Sequence, residues 1–383
     1  MREYVRGSGA HIFTSDGDAV VDFVCGYGPV ILGHGHERVN KAIENTLATG
    51  VLLPGSARLE NQVRERLQSL FGDHRDVHFL KTGSDAVAAS IRLARLATGR
   101  WKVARCGFHG WHDGLIDGKI GWHNWDNVRQ EAAKVPGTLG AFSADGVELA
   151  AESTLGEFQR IFSDHGHELA AVVIDPIQLL DPEVELPAIR ELARRSGALF
   201  ILDETKTAFR THPAGIDRMY SLRSDFIVAG KGLANGLPLS SVIADPSLLN
   251  TRKARIKGTF NAELAALAAA SETLAVLEEE DGAQRLTATG TALIDGLNKL
   301  FAEHDVASQL SAVPYRWPSM PHVHAATDDP GAQSLRTAFI GECEKQGALF
   351  MDGHNSFLSL AHDVQDIDHS CAAAAAALEK VLR

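Results

Sequence analysis

The sequence predicts an α/β fold with a large, mainly parallel sheet and a smaller α+β domain built from both chain ends. Three segments are almost continuously apolar, at 170–175, 198–203 and 225–229. Helical segments separate them, and strands without polar alternation are typical of parallel sheets covered on both faces. The chain has 383 residues, of which 45% are hydrophobic and 22% charged. A chain of this size can build a large core without disulfides.

The remaining elements follow from local patterns. Two short extended runs, 11–14 and 19–24, flank an Asp-Gly pair and predict a β-hairpin. Short strands are also predicted at 77–80 and 102–105. Apolar spacing predicts helices at 37–50, 59–71, 85–96, 187–195, 262–280 and 371–382.

Composition excludes several classes of protein. The formal net charge is −12, from 37 Lys and Arg against 49 Asp and Glu, and no basic run suggests nucleic-acid binding. No apolar stretch approaches the roughly 20 residues that span a bilayer, and residues 1–6 lack a secretory apolar region. The 4 cysteines are scattered without a C-x-x-C pair, which fits a reducing compartment. A cytoplasmic protein without membrane partners is therefore expected.

Chemically useful residues follow the predicted strands, where open α/β sheets bind ligands. Gly83 and Ser84 open a helix, whose free N–H groups suit a phosphate, although Ser84 alone is more simply an N-cap. Asp203 ends an apolar strand, where an acid can also cap a turn. Lys231 lies between two glycines after another strand, and alone it would be an ordinary loop lysine.

Together these three features match the requirements of a pyridoxal phosphate (PLP) site. A phosphate cradle anchors the cofactor, and an aspartate keeps the pyridine nitrogen protonated so that the ring accepts electrons. A desolvated lysine forms the Schiff base. The combination is far more specific than any one member.

In motif order and local sequence, the chain resembles the class III, fold-type I PLP-dependent aminotransferases, and most closely their glutamate-1-semialdehyde aminomutase-like members. The resemblance covers nearly the whole chain. The matching motifs are GPVILGHGH at 28–36, TGSDA at 82–86, FHGWHD at 108–113, DETKTAFR at 203–210, GKGLANGLP at 230–238, GTF at 258–260 and FLSLAH at 357–362.

The resemblance implies a role for each matching position. Lys231 is the implied Schiff-base lysine and proton shuttle, and Asp203 the implied partner of the pyridine nitrogen. Thr259 would reach the phosphate of a neighbouring subunit, which implies a homodimer with shared active sites. The implied cofactor contacts are Gly83, Ser84, Phe108, His109, Asp203, Thr205, Lys231 and Thr259.

The resemblance also divides the chain. Residues 46–280 are expected to form the large PLP-binding domain. Residues 1–45 and 281–383 are expected to form the N-terminal and C-terminal parts of the small domain.

The substrates are less well defined than the cofactor. Tyr27, Trp111, Arg58 and Arg210 are candidate substrate-side residues, although an ordinary surface ion pair explains either arginine as well. Several departures from the family pattern lie near the expected substrate position. They are Asp175 before Pro176 in place of Glu, Thr205 in place of Val, Ala208 in place of Gly, and Asn-Ala-Glu at 261–263.

Three functional hypotheses remain. The first is an aminotransferase that moves an amino group between a small-molecule donor and a carbonyl acceptor. The second is an aminomutase or epimerase that acts within one substrate, which the 28–36 segment favours. The third is a catalytically silent binding or assembly subunit, against which Lys231 and Asp203 argue.

Other reactive residue types have simpler explanations. The chain has 17 His, for which structural hydrogen bonding is expected rather than a metal site. Ser240-Ser241 lacks a hydrolase signature, and Cys106 is expected to be a small buried hydrophobic residue.

Overall fold

The structure is a computed structural model that describes residues 2–54, 57–112, 114–115, 146–149 and 154–383, with the backbone alone for 146–149. It divides into two compact units. The terminal unit comprises Met1–Lys41 with Ala275–Arg383, and the sheet unit comprises Ala42–Leu274. No helix in the described part of the chain is long and apolar enough to cross a membrane.

The sheet unit contains a seven-stranded sheet in its described residues, in the order β4-β10-β9-β8-β7-β5-β6. The strands are β4 (Asp76–Leu80), β5 (Lys102–Cys106), β6 (Gly146–Leu149), β7 (Leu169–Ile174), β8 (Leu199–Asp203), β9 (Phe226–Ala229) and β10 (Ser240–Ala244). The five strands from β9 to β6 are parallel to their neighbours, whereas β10 is antiparallel to both β9 and β4. The predicted α/β class with a mainly parallel sheet is confirmed.

Helices alternate with these strands. They are α2 (Arg58–Phe71), α3 (Gly83–Thr98), α4 (Leu155–His165), α5 (Pro182–Ser196), the short α6 (Gly215–Met219) and α7 (Leu264–Glu279), which continues into the terminal unit. Val87 and Leu93 of α3 pack in one core cluster with Val173, Ile201 and Val228 of the strands. Complete burial of such a side chain contributes about 1.5–3 kcal/mol. The cluster therefore fixes the N-terminus of α3 relative to the strand ends.

Some elements differ from the sequence prediction. Helix α5 begins at Pro182 rather than 187, because Asp181 caps it by accepting a hydrogen bond from the Val184 N–H at 3.3 Å. Helix α3 begins at Gly83 rather than Asp85. Strand β10 was not predicted, because its five residues carry no local signal that distinguishes an inserted antiparallel strand from a loop.

The terminal unit contains the predicted hairpin. Its strands and helices are β1 (Tyr4–Ser8), β2 (His11–Thr14), β3 (Ala19–Asp22), α1 (Glu37–Thr49, whose end lies in the sheet unit), α8 (Gly282–Glu303), β11 (Leu310–Tyr315), β12 (Trp317–Ala325), α9 (Pro330–Gln346), β13 (Ala348–Leu349) and α10 (Val364–Val381). Strand β2 pairs antiparallel with β3, and β13 pairs parallel with β3, so one sheet joins both chain ends. Helix α10 begins seven residues before the predicted 371, where Asp363 and Asp366 form a capping box.

Candidate active site

The predicted site residues gather at one edge of the seven-stranded sheet. Leu202 of β8 pairs with Ile174 of β7, and Asp203 pairs with Val228 of β9, so the three strands end side by side. Strand β10 starts at this edge because Ser240 pairs with Leu80, the last residue of β4. The segments after β4, β7, β8 and β9 therefore emerge together.

The N-terminus of α3 lies at this edge. Thr82 caps the helix, because its hydroxyl accepts a hydrogen bond from the Asp85 N–H at 3.1 Å, and its own N–H donates to the Asp85 carboxylate at 2.9 Å. The N-cap is therefore Thr82, and the interpretation of Ser84 as N-cap was wrong. The sequence contained the signal, since Thr-x-x-Asp before a helix is a capping-box pattern. The Ser84 hydroxyl is left for another partner.

Small residues keep backbone and side chains close around this helix start. A Cβ on Gly83 would lie 2.9 Å from Cγ2 of Thr205. A Cβ on Gly110 would collide with the Ser84 side chain, and Gly110 has a φ of +126°, which L side chains rarely adopt. Larger residues at these two positions would displace the side chains that surround the α3 N-terminus.

Asp203 is a buried carboxylate that three hydrogen bonds from described residues hold in place. Nδ1 of His109 donates to Oδ2 at 2.8 Å, and Thr205 donates to Oδ1 from its N–H at 3.1 Å and from its hydroxyl at 2.5 Å. Burial by itself raises the pKa of Asp203, but the bonds from His109 and Thr205 outweigh burial and lower that pKa. Asp203 is therefore an ionised carboxylate near neutral pH. The sequence did not predict that His109 and Thr205 contact it.

Lys231 opens a 3-10 turn directly after β9, with a φ of +41° that is unusual for a residue other than glycine. Its side chain keeps a partly accessible surface, yet the surrounding protein desolvates the ammonium. Burial, with further contributions from the nearby cations Lys206 and Arg210, lowers the pKa of Lys231 to about 7. Asp175 and Asp203 oppose this shift. A large fraction of Lys231 is therefore a neutral amine at neutral pH.

A second buried pair lies beside these residues. Nζ of Lys206 is 2.7 Å from Oδ2 of Asp175, and the two side chains are 7% and 2% exposed. Burial raises the pKa of Asp175, and Lys206 opposes that rise. No sequence motif assigns Lys206 a role. Two features point to it: a lysine inside the 203–210 motif, and an aspartate at 175 where the family usually has Glu.

The other predicted residues are more dispersed. Phe108 is partly buried in the loop after β5, and Arg210 is 1% exposed, so it is not a surface arginine. Trp111 is 66% exposed, and its ring meets His112 edge-on with 5.1 Å between centroids. Arg58 and Thr259 are exposed.

Tyr27 belongs to the terminal unit and is 43% exposed. Asp113, which completes the FHGWHD motif, lies outside the described residues. Two histidines pair with buried carboxylates: His109 contacts Asp203, and Nε2 of His34 lies 2.7 Å from the Asp22 carboxylate.

Comparison with protein families gives a match over residues 1–382 to the model described as Aminotransferase class-III. A 2'-deamino-2'-hydroxyneamine transaminase from Streptomyces kanamyceticus is 30% identical over 375 residues, covering 97% of this chain and 89% of the relative. A glutamate-1-semialdehyde 2,1-aminomutase from Hyperthermus butylicus is 31% identical over 325 residues, covering 80% of this chain and 74% of the relative.

Solved structures with the same architecture also match. An omega-transaminase from Sphaerobacter thermophilus has a TM-score of 0.86 and 25% identity, covering 100% of this chain and 92% of that chain. The Sphingopyxis sp. MTA144 FumI protein, in its PLP internal aldimine form, has a TM-score of 0.85 and 25% identity, covering 100% of this chain and 89% of that chain.

Proposed function

Because the chain belongs to the class III aminotransferases, which transfer amino groups with PLP, we propose that the sheet edge around Asp203 and Lys231 is its active site. Bound PLP supplies an electron sink that stabilises negative charge at the substrate Cα. The observation that carries the proposal is the juxtaposition of an ionised Asp203 and a desolvated Lys231 at the ends of adjacent strands.

The residues at this edge fit the three polar parts of the cofactor. The first turn of α3, with Gly83, Ser84 and the helix dipole, suits a phosphate. The Asp203 carboxylate, held ionised by His109, suits a protonated pyridine nitrogen. The neutral amine of Lys231 suits the aldehyde carbon of PLP, because only an unprotonated amine can attack a carbonyl carbon.

The same lysine can then move protons. A pKa of about 7 lets Lys231 accept a proton from the substrate Cα and return one near neutral pH. Matched general acid–base transfer of this kind contributes roughly 10²–10⁴-fold to the rate. Phe108 and Thr205 are proposed to lie against the two faces of the ring, and Thr205 also orients Asp203 by its hydrogen bonds.

The domain roles, subunit state and compartment belong to the same proposal. Residues 46–280 would bind PLP, and 1–45 with 281–383 would form the small domain.

The exposure of Thr259, next to a Phe260 that is 58% exposed, supports a homodimer in which Thr259 reaches the neighbour's phosphate. A monomeric holoenzyme in sedimentation equilibrium would contradict the dimer. The free cysteines support a cytoplasmic enzyme, which cell fractionation tests.

The decisive test is Lys231→Ala. We expect the variant to lose steady-state turnover and the visible absorbance of PLP bound to the wild-type protein, while thermal unfolding still shows a folded chain. Lys102→Ala is the matched control, because Lys102 begins β5 at the opposite end of the parallel strands. Appreciable turnover by Lys231→Ala would contradict the assignment. A wild-type protein that shows no such band with PLP would support the silent-subunit hypothesis.

An aminomutase or epimerase is the second candidate. The Hyperthermus butylicus relative, named as an aminomutase, is 31% identical to this chain and supports it. The two reactions differ in whether a separate amino acceptor is needed. A screen adds candidate amino donors one at a time, amino sugars included. A donor that causes loss of the PLP absorbance is a substrate. Turnover of one substrate without any acceptor would favour the aminomutase.

A further inference from the structure

A buried ion pair lies next to the proposed cofactor lysine and has no part in the function described above. Asp175 follows the end of β7, and Lys206 lies three residues after the end of β8. Their charged atoms are 2.7 Å apart, and both side chains are almost completely buried. The parallel register of β7 and β8 brings the two segments to the edge where Lys231 emerges from β9.

Stability alone is a poor explanation for such a pair. Removing two charges from water costs several kcal/mol for each ion, and apolar replacements of similar volume are often as stable or more stable. The pair also keeps a cation close to Lys231, where like charges repel. An arrangement that gains little stability and perturbs a reactive lysine is better explained by its effect on that lysine.

The charges around Lys231 come from several segments. Lys206 and Arg210, from the segment after β8, disfavour its protonation, whereas Asp175 and Asp203 favour it. The Asp203 charge is already engaged by its hydrogen bonds from the loop after β5 and from Thr205. Of the cations and anions named, Lys206 has the largest effect on the pKa of Lys231, after the effect of burial itself.

We propose that Lys206, held in place by Asp175, is a positioning residue whose buried positive charge favours the unprotonated form of the Lys231 nitrogen. This inference rests on the proposed function of Lys231. Lys206 needs no contact with substrate, since its charge acts through space across a desolvated site. Asp175 keeps that charge buried, because an unpaired ammonium in the same place would lose its proton.

The test compares Lys206→Met, which removes the charge, with Lys206→Arg, which retains it. The readout is the pH midpoint of the visible absorbance of PLP bound at Lys231 in the holoenzyme, which follows the proton on that nitrogen. Removing a nearby cation favours the protonated form, so Lys206→Met should raise the midpoint by about one pH unit. Lys206→Arg should keep the wild-type midpoint.

Two further proteins make the result decisive. Lys102→Met removes a lysine paired with Glu168 at the opposite end of the parallel strands, and it should leave the midpoint unchanged. If Lys206→Met does not fold, the double variant Lys206→Gln with Asp175→Asn replaces the ion pair by a neutral hydrogen-bonded pair. The double variant should also raise the midpoint, because Lys206 outweighs Asp175 at Lys231.

Two results would overturn the proposal. One is an unchanged pH midpoint in Lys206→Met or, if that variant does not fold, in the double variant. The other is an equal shift of the midpoint in Lys206→Met and Lys206→Arg. Failure of the underlying assignment looks different, because Lys231→Ala would then retain the visible band. A raised midpoint that Lys206→Arg restores would establish the charge of Lys206 as the cause.

Discussion

Two adjacent carboxyl groups, Asp203 and Glu204, are both buried, yet their pKa values shift in opposite directions. Asp203 faces the proposed active site, where donors from His109 and Thr205 lower its pKa. Glu204 faces the start of α6 and accepts hydrogen bonds from the N–H groups of Ile216 at 2.6 Å and Asp217 at 2.9 Å. Burial nevertheless raises the pKa of Glu204 to about 8, and the Asp217 charge adds to the rise.

Burial alone therefore does not determine the charge of a carboxyl group. Asp203 receives a histidine ring nitrogen, whereas the donors to Glu204 among the described residues are backbone N–H groups and the Thr207 hydroxyl. Gly215 lets the α6 backbone approach closely, because a Cβ there would collide with the Glu204 carboxyl. Asp203 is therefore a charged group at the proposed active site, whereas Glu204 is a largely neutral group bound to the start of α6.

Among substitutions of the two carboxyls and of Thr205, Asp203→Asn should reduce turnover most. The amide keeps the shape but loses the negative charge that would hold the pyridine nitrogen protonated. We expect kcat/KM to fall roughly 10²–10³-fold, with little change in the free energy of unfolding of the PLP-free protein. Steady-state kinetics and chemical denaturation measure the two quantities. Wild-type activity in this variant would remove Asp203 from the proposed site.

The second prediction concerns Glu204→Gln, which should affect stability rather than catalysis. Its folded-state pKa of about 8 lies above the ordinary value of 4.5, so folding binds an extra proton between these pH values. That contribution to stability is complete below pH 4.5 and is lost as the pH rises toward 8. From pH 5 to 8, wild type should lose about 1–3 kcal/mol more of its free energy of unfolding than Glu204→Gln.

Urea denaturation at several pH values measures this difference, with kcat/KM at pH 7 as the companion measurement. Parallel stability curves for the two proteins would show that Glu204 is ionised in the folded state. A fall in kcat/KM as large as that of Asp203→Asn would contradict the division of roles between the two carboxyls.

The smallest effect is expected for Thr205→Val, which removes one of the hydrogen bonds to Asp203 and keeps the shape of the side chain. Losing a hydroxyl bond to a charged acceptor costs about 1.5–3 kcal/mol at most in a buried site, and less where the backbone donor remains. We expect kcat/KM to fall about 3–10-fold. Its acid limb should also move to higher pH, because the pKa of Asp203 rises. An unchanged pH profile would show that the Thr205 hydroxyl does not contribute to the pKa of Asp203.

Much of the fold followed from local patterns. The apolar runs that became β7, β8 and β9 needed no tertiary information, because strands buried on both faces contain few polar residues. Helix starts were less predictable. The helix predicted at 187–195 begins at Pro182, because Asp181 supplies the cap.

The family, the cofactor and the chain order of the residues at the proposed site follow from the amino-acid sequence, because they depend on motifs of adjacent residues. Which charges meet depends on the three-dimensional fold. The contacts of His109 with Asp203 and of Lys206 with Asp175 join residues 94 and 31 positions apart, and Asp203 and Glu204 differ by the direction in which each side chain leaves the backbone. Proton affinities depend on such distances and on desolvation, and neither is encoded in a local pattern of residues.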